Sequence, residues 1–447
     1  MAKPRVLLKD QPDYQAPAIQ AHVSAILDQT GLNVRNLRAL IKPSFVYPTR
    51  DPVGLAVITR PEFLVGVAAA LRDHGAKEIL VAESSVIGPS RVSFHSTGVL
   101  PLLKGLATPV FLDETETVEV EVKDPLVQKH FAVPKIWLEA DLYLSLPKIK
   151  VNLFAGVTLS IKNNLGLLRQ KDRLLYHDYR LHRKLADLYK VRPPDLVIAD
   201  CIVAGEGQGP LLADPVPLGL MVAGTNPIAV DAVACRLIGY KPAEVEHLRL
   251  LHEAGYGPIA PEEIEVEPAE LLSKARVLRR PEVALHNLSP KLRVFEGSEI
   301  SCPGGCKGLV RGALDAYLVR HGPEGIRPLN VILGKPIAEV PADLDPDCTL
   351  VLGDCALPFQ DRGEFVPGCC PVPLQIGYAI RGILGPIKVA MRARDVMAGY
   401  TGHRWWRLRQ LLAGRSPAPI ENHVPSLRVF QEYAAMFHEK LSRPPSS

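Results

Sequence analysis

Along this chain, short continuous apolar runs alternate with longer stretches whose apolar positions recur at helical spacing. "NVRNLRALIKPSF" (33–45) predicts a strand that ends near Ile41, with Lys42 just beyond it and Pro43 closing it. In "TRPEFLVGVAAALRDHGAKEILVAES" (59–84), Thr59 followed three residues later by Glu62 predicts a capping box at a helix start. Apolar positions then recur at helical spacing until Gly75, and "EILVAE" follows as a buried strand. Helix followed by apolar strand is half of a parallel α/β repeat.

The pattern recurs. "ADLYLSLPKIK" (140–150) predicts a strand ending in a lysine-rich turn, and "PDLVIADC" (194–201) another strand. "LGLMVAGTNPIAVDAVACRLIGY" (218–240) reads as strand, turn and helix, with Asn226 as cap and Pro227 at the first helical position. The expected fold is α/β: a mostly parallel sheet with flanking helices over residues 1–265, then a charged, proline-interrupted connector over 266–295. A second, smaller α/β domain is expected over 296–400, with a helix from Lys307 to His321 and strands at 329–335 and 348–354. A helical tail over 401–447 contains "GHRWWRLRQLL" and the amphipathic "LRVFQEYAAMFHEKL". The first of these could lie on an anionic membrane surface, but packing of its Trp and Leu against the protein itself is the favoured reading.

Composition narrows the function classes. The chain has 447 residues, 47% hydrophobic and 22% charged, ordinary for a globular protein. Its net charge of +4 comes from 52 basic and 48 acidic side chains, with no Lys/Arg block, so nucleic acid is not an expected partner. No apolar run is long enough to span a bilayer, and the N-terminus does not read as a signal peptide, so a cytoplasmic location is expected. Cysteines in such a compartment serve more often as core residues, metal ligands or redox groups than as disulfides.

Cys302, Cys306, Cys355, Cys369 and Cys370 all fall in loops of the second domain. "SCPGGCKG" places glycines between two cysteines and a helix directly after them. "LVLGDCALP" puts Cys355 just past a buried strand, and "GEFVPGCCPVP" brackets its pair with Gly and Pro. A bulky anionic metal–sulfur site needs ligands from several loops and small residues that let backbone N–H groups approach the sulfurs. An iron–sulfur cluster, 4Fe-4S in type, is the expected cofactor. The ligands would be Cys302, Cys306, Cys355 and one of Cys369 or Cys370. Zinc is the alternative, although the usual second cysteine pair is missing. Cys201, Cys235 and Cys348 sit in or beside apolar runs and read as core.

In the first domain, polar groups gather at the ends of apolar elements. Lys42 follows a strand, and "LPKIKVNLFAGVTLSIKNNLGLL" holds Lys148, Lys150, Lys162, Asn163 and Asn164. Lysines with Asn donors make an anion pocket for a carboxylate or phosphate, so these residues are the expected substrate-binding set, with Lys162 also a catalytic candidate. Glu206 lies among glycines, and Asp231 sits on an otherwise apolar helix where a carboxylate is costly unless paired. Both are candidates for proton transfer or for positioning the lysines. Asp231 as a backbone cap and the lysines as solvated ends are the structural alternatives.

Four ordered segments resemble the family catalogued as domain of unknown function 362. They are "LIKPSF…TRPEFLVGVAAALRDHGAKEILVAES", "LPKIKVN…GVTLSIKNNLGLL", "DLVIADCIVAGEGQGP" and "GTNPIAVDAVACRLIGY". The resemblance covers roughly 37–240 and implies iron–sulfur association, since members often carry cysteine motifs or ferredoxin-like modules. Two departures stand out. Asn152 occupies a place where the family often has histidine, and no eight-iron ferredoxin run is present. A fainter likeness to nickel-pincer lactate racemases lacks the corresponding His-rich, Lys-containing motif. The combined expectation is an iron–sulfur protein acting in redox or Lewis-acid chemistry on a small anionic substrate. The alternatives are a non-catalytic electron-transfer or cluster-carrying partner of another protein, or a zinc-stabilised scaffold. A redox partner protein and self-association into a homo-oligomer are compatible with either.

Overall fold

The structure is a computed structural model that describes residues 2–45, 49, 54–85, 88–169, 173, 177–337, 339–369, 371, 373–385 and 392–417. The chain forms two compact units, with one division between Pro281 and Glu282, within the expected connector, and with residues 177–181 also belonging to the small unit. The helix Ala393–Leu412 belongs to the large unit.

Among the described residues, the strands of the large unit are β1 (Arg5–Asp10), β2 (Arg38–Pro43), β3 (Glu78–Glu83), β4 (Thr108–Phe111), β5 (Thr117–Glu121), β6 (His130–Pro134), β7 (Leu142–Leu146), β8 (Lys148–Asn152), β9 (Gly156–Thr158), β10 (Leu196–Gln208), β11 (Leu212–Gly224) and β12 (Glu265–Glu267). Ten of them form one sheet with the order β12-β1-β11-β10-β7-β2-β3-β4, from which β8 and β9 branch beside β10. The segment from β10 through β7, β2 and β3 to β4 is wholly parallel. β2 and β7 read as continuous apolar runs because helices cover both faces of a parallel sheet. The helices Ala16–Thr30 and Pro61–Asp73 pack together, and Gly66 permits the approach, since a Cβ there would stand 2.7 Å from Ile19.

Local signals held in part. Asn226 caps the helix Pro227–Leu237, its side chain accepting from the Ala229 N–H at 3.0 Å, with Pro227 in the first turn. Gly75, at φ +84°, takes the left-handed turn after the helix Pro61–Asp73, a conformation L side chains rarely adopt. Thr59 is not the cap of that helix. Its hydroxyl donates to the Leu146 carbonyl at 2.7 Å and accepts from the Ser44 N–H at 2.8 Å, so a tertiary link between strand ends displaces the local motif.

The small unit holds β13 (Leu292–Glu296), β14 (Leu329–Leu333), β15 (Thr349–Leu352) and β16 (Glu364–Val366), all parallel and side by side in chain order. The helix Gly308–His321 makes the crossover from β13 to β14, and Ile332, Leu344, Val351 and Ala356 form the centre of a small core. The fold is therefore α/β with a large, mostly parallel sheet and a second, smaller parallel one.

The helix Ala393–Leu412 packs on the helix Ser90–Thr97, and His403 is buried against Glu114 at 3.0 Å and stacked on Trp406. Trp405, Leu408, Leu411 and Leu412 are exposed, contrary to the expected packing. The segment 427–441 and Cys370 lie outside the described residues. No described helix is long and apolar enough to cross a membrane.

Candidate functional site

The chemistry of the large unit gathers where β2, β3 and β7 reach their carboxyl ends, the edge at which parallel sheets display functional groups. Register places Lys42 beside Ser145, and each is the next-to-last residue of its strand. The Lys42 ammonium donates to Glu83 Oε2 at 2.8 Å, to the Pro43 carbonyl at 2.6 Å and to Asn163 Oδ1 at 3.3 Å. Glu83 also accepts from the N–H groups of Phe45 and Ser84, and both members of the ion pair are fully buried. Burial lowers the Lys42 pKa, and the Glu83 carboxylate opposes that shift. Gly166 closes over the pair, since a Cβ there would meet Glu83 Oε1 at 2.7 Å and Lys42 Nζ at 2.8 Å.

Lys148 opens β8 directly after Pro147, opposite Asp200 of β10. Its ammonium donates to Asp200 Oδ2 at 3.1 Å and to the Tyr14 hydroxyl at 2.7 Å, and that hydroxyl donates to Asp200 Oδ1 at 2.9 Å. Here too burial lowers the lysine pKa against the pull of the carboxylate. Such pairs are compensated charges. They fix positions more than they add stability.

Lys150 and Lys162 are different. Lys150 is 0% exposed, and its ammonium donates to the Val57 carbonyl, with no carboxylate partner among the described residues. Burial, then the charges of Lys162 and Lys148, push its pKa well below the usual lysine value. Lys162, half-buried on the short helix Ser160–Asn163, has no hydrogen-bond or ion-pair partner among the described residues. Desolvation, followed by Arg173, lowers it to about 8. The Arg173 guanidinium is itself buried and bound to the carbonyls of Ser84 and Ser85. Five cationic side chains are thus linked electrostatically, Lys150 feeling Lys162, Lys148 and Lys42 while Arg173 acts on Lys42 and Lys162, and Glu83 and Asp200 pair with Lys42 and Lys148.

Asp231 accepts from the backbone N–H groups of Ser160 at 2.9 Å and Ile161 at 3.1 Å, and so anchors the helix that carries Lys162. Burial raises it to about 6 despite those bonds. Asn163 spans Lys42 and Ser145, and Asn164 Oδ1 accepts from the Tyr143 hydroxyl at 2.6 Å. Among the described residues, the Asn164 Nδ2 atom is buried without a partner. Glu206 is held elsewhere. It accepts from the Arg279 backbone N–H at 3.0 Å, while its neighbour Gly205 lies opposite Lys150. Asn152 closes the turn into β9 by accepting from the N–H groups of Phe154 and Ala155.

In the small unit, Cys302 and Cys306 follow β13, Cys355 follows β15 and Cys369 follows β16, so every one leaves the carboxyl edge of the parallel sheet. Cys306 Sγ lies so close to Gly353 that a Cβ there would stand 2.9 Å away. Asp354 Oδ1 accepts from the Gly368 N–H at 2.7 Å, which ties the Cys355 and Cys369 loops together. Burial raises the Cys302 thiol, with Cys355 and Asp178 adding to it. Cys369 is pushed up to about 11 by desolvation, Cys355, Asp354 and Cys302. The donors fit a soft metal or cluster in chemistry, because crowded thiols beside carboxylates become thiolates only with a cation among them. As placed, no group of three or more His, Cys, Asp or Glu side chains among the described residues could hold a metal ion.

Sequence reasoning missed Glu83, which ends β3, and Asp200, which breaks the apolar run inside β10, although such a break is the signal that marked the lysines. It also missed Tyr14, Arg173 and a histidine pair, His182 and His247, whose ring nitrogens approach to 2.9 Å across 65 residues of sequence. No local pattern marks that pair.

A thylakoid-associated protein of Synechocystis sp. is 29% identical over 277 residues, 59% of this chain and 83% of that protein. Among solved structures, the lactate racemase apoprotein from Thermoanaerobacterium thermosaccharolyticum aligns with a TM-score of 0.35 and 14% identity, over 74% of this chain and 69% of that one. A Thermotoga maritima protein aligns with a TM-score of 0.33 and 10% identity, over 73% of each chain. Residues 39–236, which carry Lys42, Lys148, Lys150 and Lys162 together with Glu83 and Asp200, match the family model described as domain of unknown function (DUF362).

Proposed function

We propose that the large unit binds a small anionic substrate through Lys150 and Lys162. Lys150 carries this reading. A buried ammonium without a carboxylate costs several kcal/mol, on the order of the penalty for any uncompensated buried ion, and such a cost is kept where a ligand repays it. Lys162 supplies the second unpaired cation. Lys42 and Lys148, locked by Glu83 and Asp200 as compensated pairs, fix the strand ends around the site. Asp231 acts as a positioning residue through its hold on the Lys162 helix.

In the small unit, Cys302, Cys306, Cys355 and Cys369 would hold a thiolate-bound iron–sulfur cluster, with zinc as the alternative. Their shared placement at one sheet edge supports this. When bound, a cluster supplies electron transfer or, with an open iron position, Lewis acidity. The protein is then an iron–sulfur enzyme acting on the anion, in a reducing cytoplasm that keeps the thiols available.

The test is calorimetric binding of succinate and of inorganic phosphate to the full chain, beside Lys150→Met and Lys162→Met. Saturable binding that both substitutions abolish supports the reading. Unchanged binding in both variants refutes it.

A further inference from the structure

His182, on the helix Leu181–Val191, and His247, on the helix Glu246–Glu253, stack with ring centroids 5.1 Å apart. Their Nδ1 atoms are 2.9 Å apart, and the His247 backbone N–H also donates to His182 Nδ1 at 3.3 Å. That second bond fixes His182 Nδ1 as an acceptor. The proton in the short contact therefore sits on His247 Nδ1, and a neutral imidazole carrying it there has a bare lone pair on Nε2. Burial lowers both histidine pKa values, and Lys162 pushes in the same direction, so both rings are neutral.

His247 is 1% exposed, and its Nε2 has no hydrogen-bond partner among the described residues. A buried acceptor left without a donor is rare and calls for an explanation. The neighbourhood offers one. The helix carrying Lys162 is anchored by Asp231 of the helix Pro227–Leu237, against which the helix of His247 packs. Asn164 Nδ2, just past the end of the Lys162 helix, is likewise buried and without a partner among the described residues. An unpartnered cation seeks an anion, and a bare imidazole nitrogen seeks a hydroxyl or N–H.

We infer that His247 Nε2 accepts a hydrogen bond from a hydroxyl of the anion that Lys150 and Lys162 hold, so the ligand is a small hydroxycarboxylate. This rests on the anion-pocket reading and names its substrate class. A hydroxyl is favoured over an ammonium because Lys162 acts on both histidines, and Lys150 and Arg173 stand in electrostatic range of Lys162. His247 is thus a specificity-determining residue.

The experiment compares succinate, malate and aspartate, which share a carbon skeleton and differ by a hydrogen, hydroxyl or ammonium at one carbon. Binding to the full chain is measured calorimetrically at pH 7. Malate is expected to bind about tenfold more tightly than succinate, as a site with a buried acceptor rejects the analogue lacking the donor. Aspartate is expected to bind no more tightly than succinate. In His247→Phe the malate preference should fall to within about twofold while succinate still binds. His182→Ala, at a half-buried position, releases the tautomer and should erode the same preference if His247→Phe does not fold. Equal binding of succinate and malate by the unsubstituted protein overturns the inference and leaves the anion pocket standing. A malate preference that survives in the foldable variants also overturns it. Failure of all three probes to bind removes the anion pocket itself.

Discussion

Replacing Lys150 by methionine should make the ligand-free protein more stable and less able to bind. Methionine keeps the length of the side chain, so the packed stem around a residue with 0% exposure is preserved. The substitution costs the hydrogen bond to Val57, worth about 1 kcal/mol. It removes an ammonium that burial and three neighbouring lysines all disfavour. Exchanging buried charge for an apolar side chain of similar volume is worth on the order of 1–4 kcal/mol, so the net change should be a gain of roughly 1–3 kcal/mol. Scanning calorimetry without ligand reads this as a higher unfolding midpoint. With succinate at a hundred times its dissociation constant, the unsubstituted protein should gain about 2.7 kcal/mol, and the variant almost none. A variant that unfolds earlier yet keeps the full succinate effect would show that Lys150 only supports Val57.

The remaining predictions follow from single groups. Lys162, lowered to about 8, must be charged to hold an anion, so succinate affinity should fall about tenfold between pH 7 and pH 9; a flat profile refutes its role. The ligand-free protein shows the opposite sign. The unfolded chain keeps its lysine proton up to the ordinary value of 10.5, so stability from this group rises between about pH 8 and pH 10.5, as urea titrations at several pH values can read. Asp231→Ala leaves the Ser160 and Ile161 N–H groups without their acceptor, which should cost about 1–3 kcal/mol and weaken succinate binding through the displaced Lys162 helix. Anaerobically purified protein should be brown, with about four irons per chain and matching sulfide, both lost in Cys302→Ser and Cys355→Ser. Colourless protein with one zinc would replace the cluster by that ion.

The large sheet was legible because buried parallel strands are continuous apolar runs, and "LRALIK", "EILVAE", "LYLSL" and "LVIAD" are such runs. Their carboxyl ends were legible too, since Lys42 and Lys148 break the apolar pattern abruptly. Their partners were not. Glu83 and Asp200 break it in the same way, but which acid meets which lysine depends on strand register and on the branch of β8 from β7, which no local spacing encodes. The failed Thr59 cap has the same origin, because a carbonyl on β7 offered a better partner than the adjacent backbone. The loops of the small unit were marked by Gly and Pro. The distances between their sulfurs depend on four strands aligned in parallel, and spacing along the chain is blind to that.

The most direct test of the anion pocket is titration calorimetry of the full chain with succinate at pH 8, in two buffers of different ionisation enthalpy. Binding to partly deprotonated lysines must draw protons from the buffer. Saturable one-site binding with net proton uptake, absent from Lys150→Met, is the expected result. Saturable binding without proton uptake, or the same weak heat in both proteins, would contradict the account.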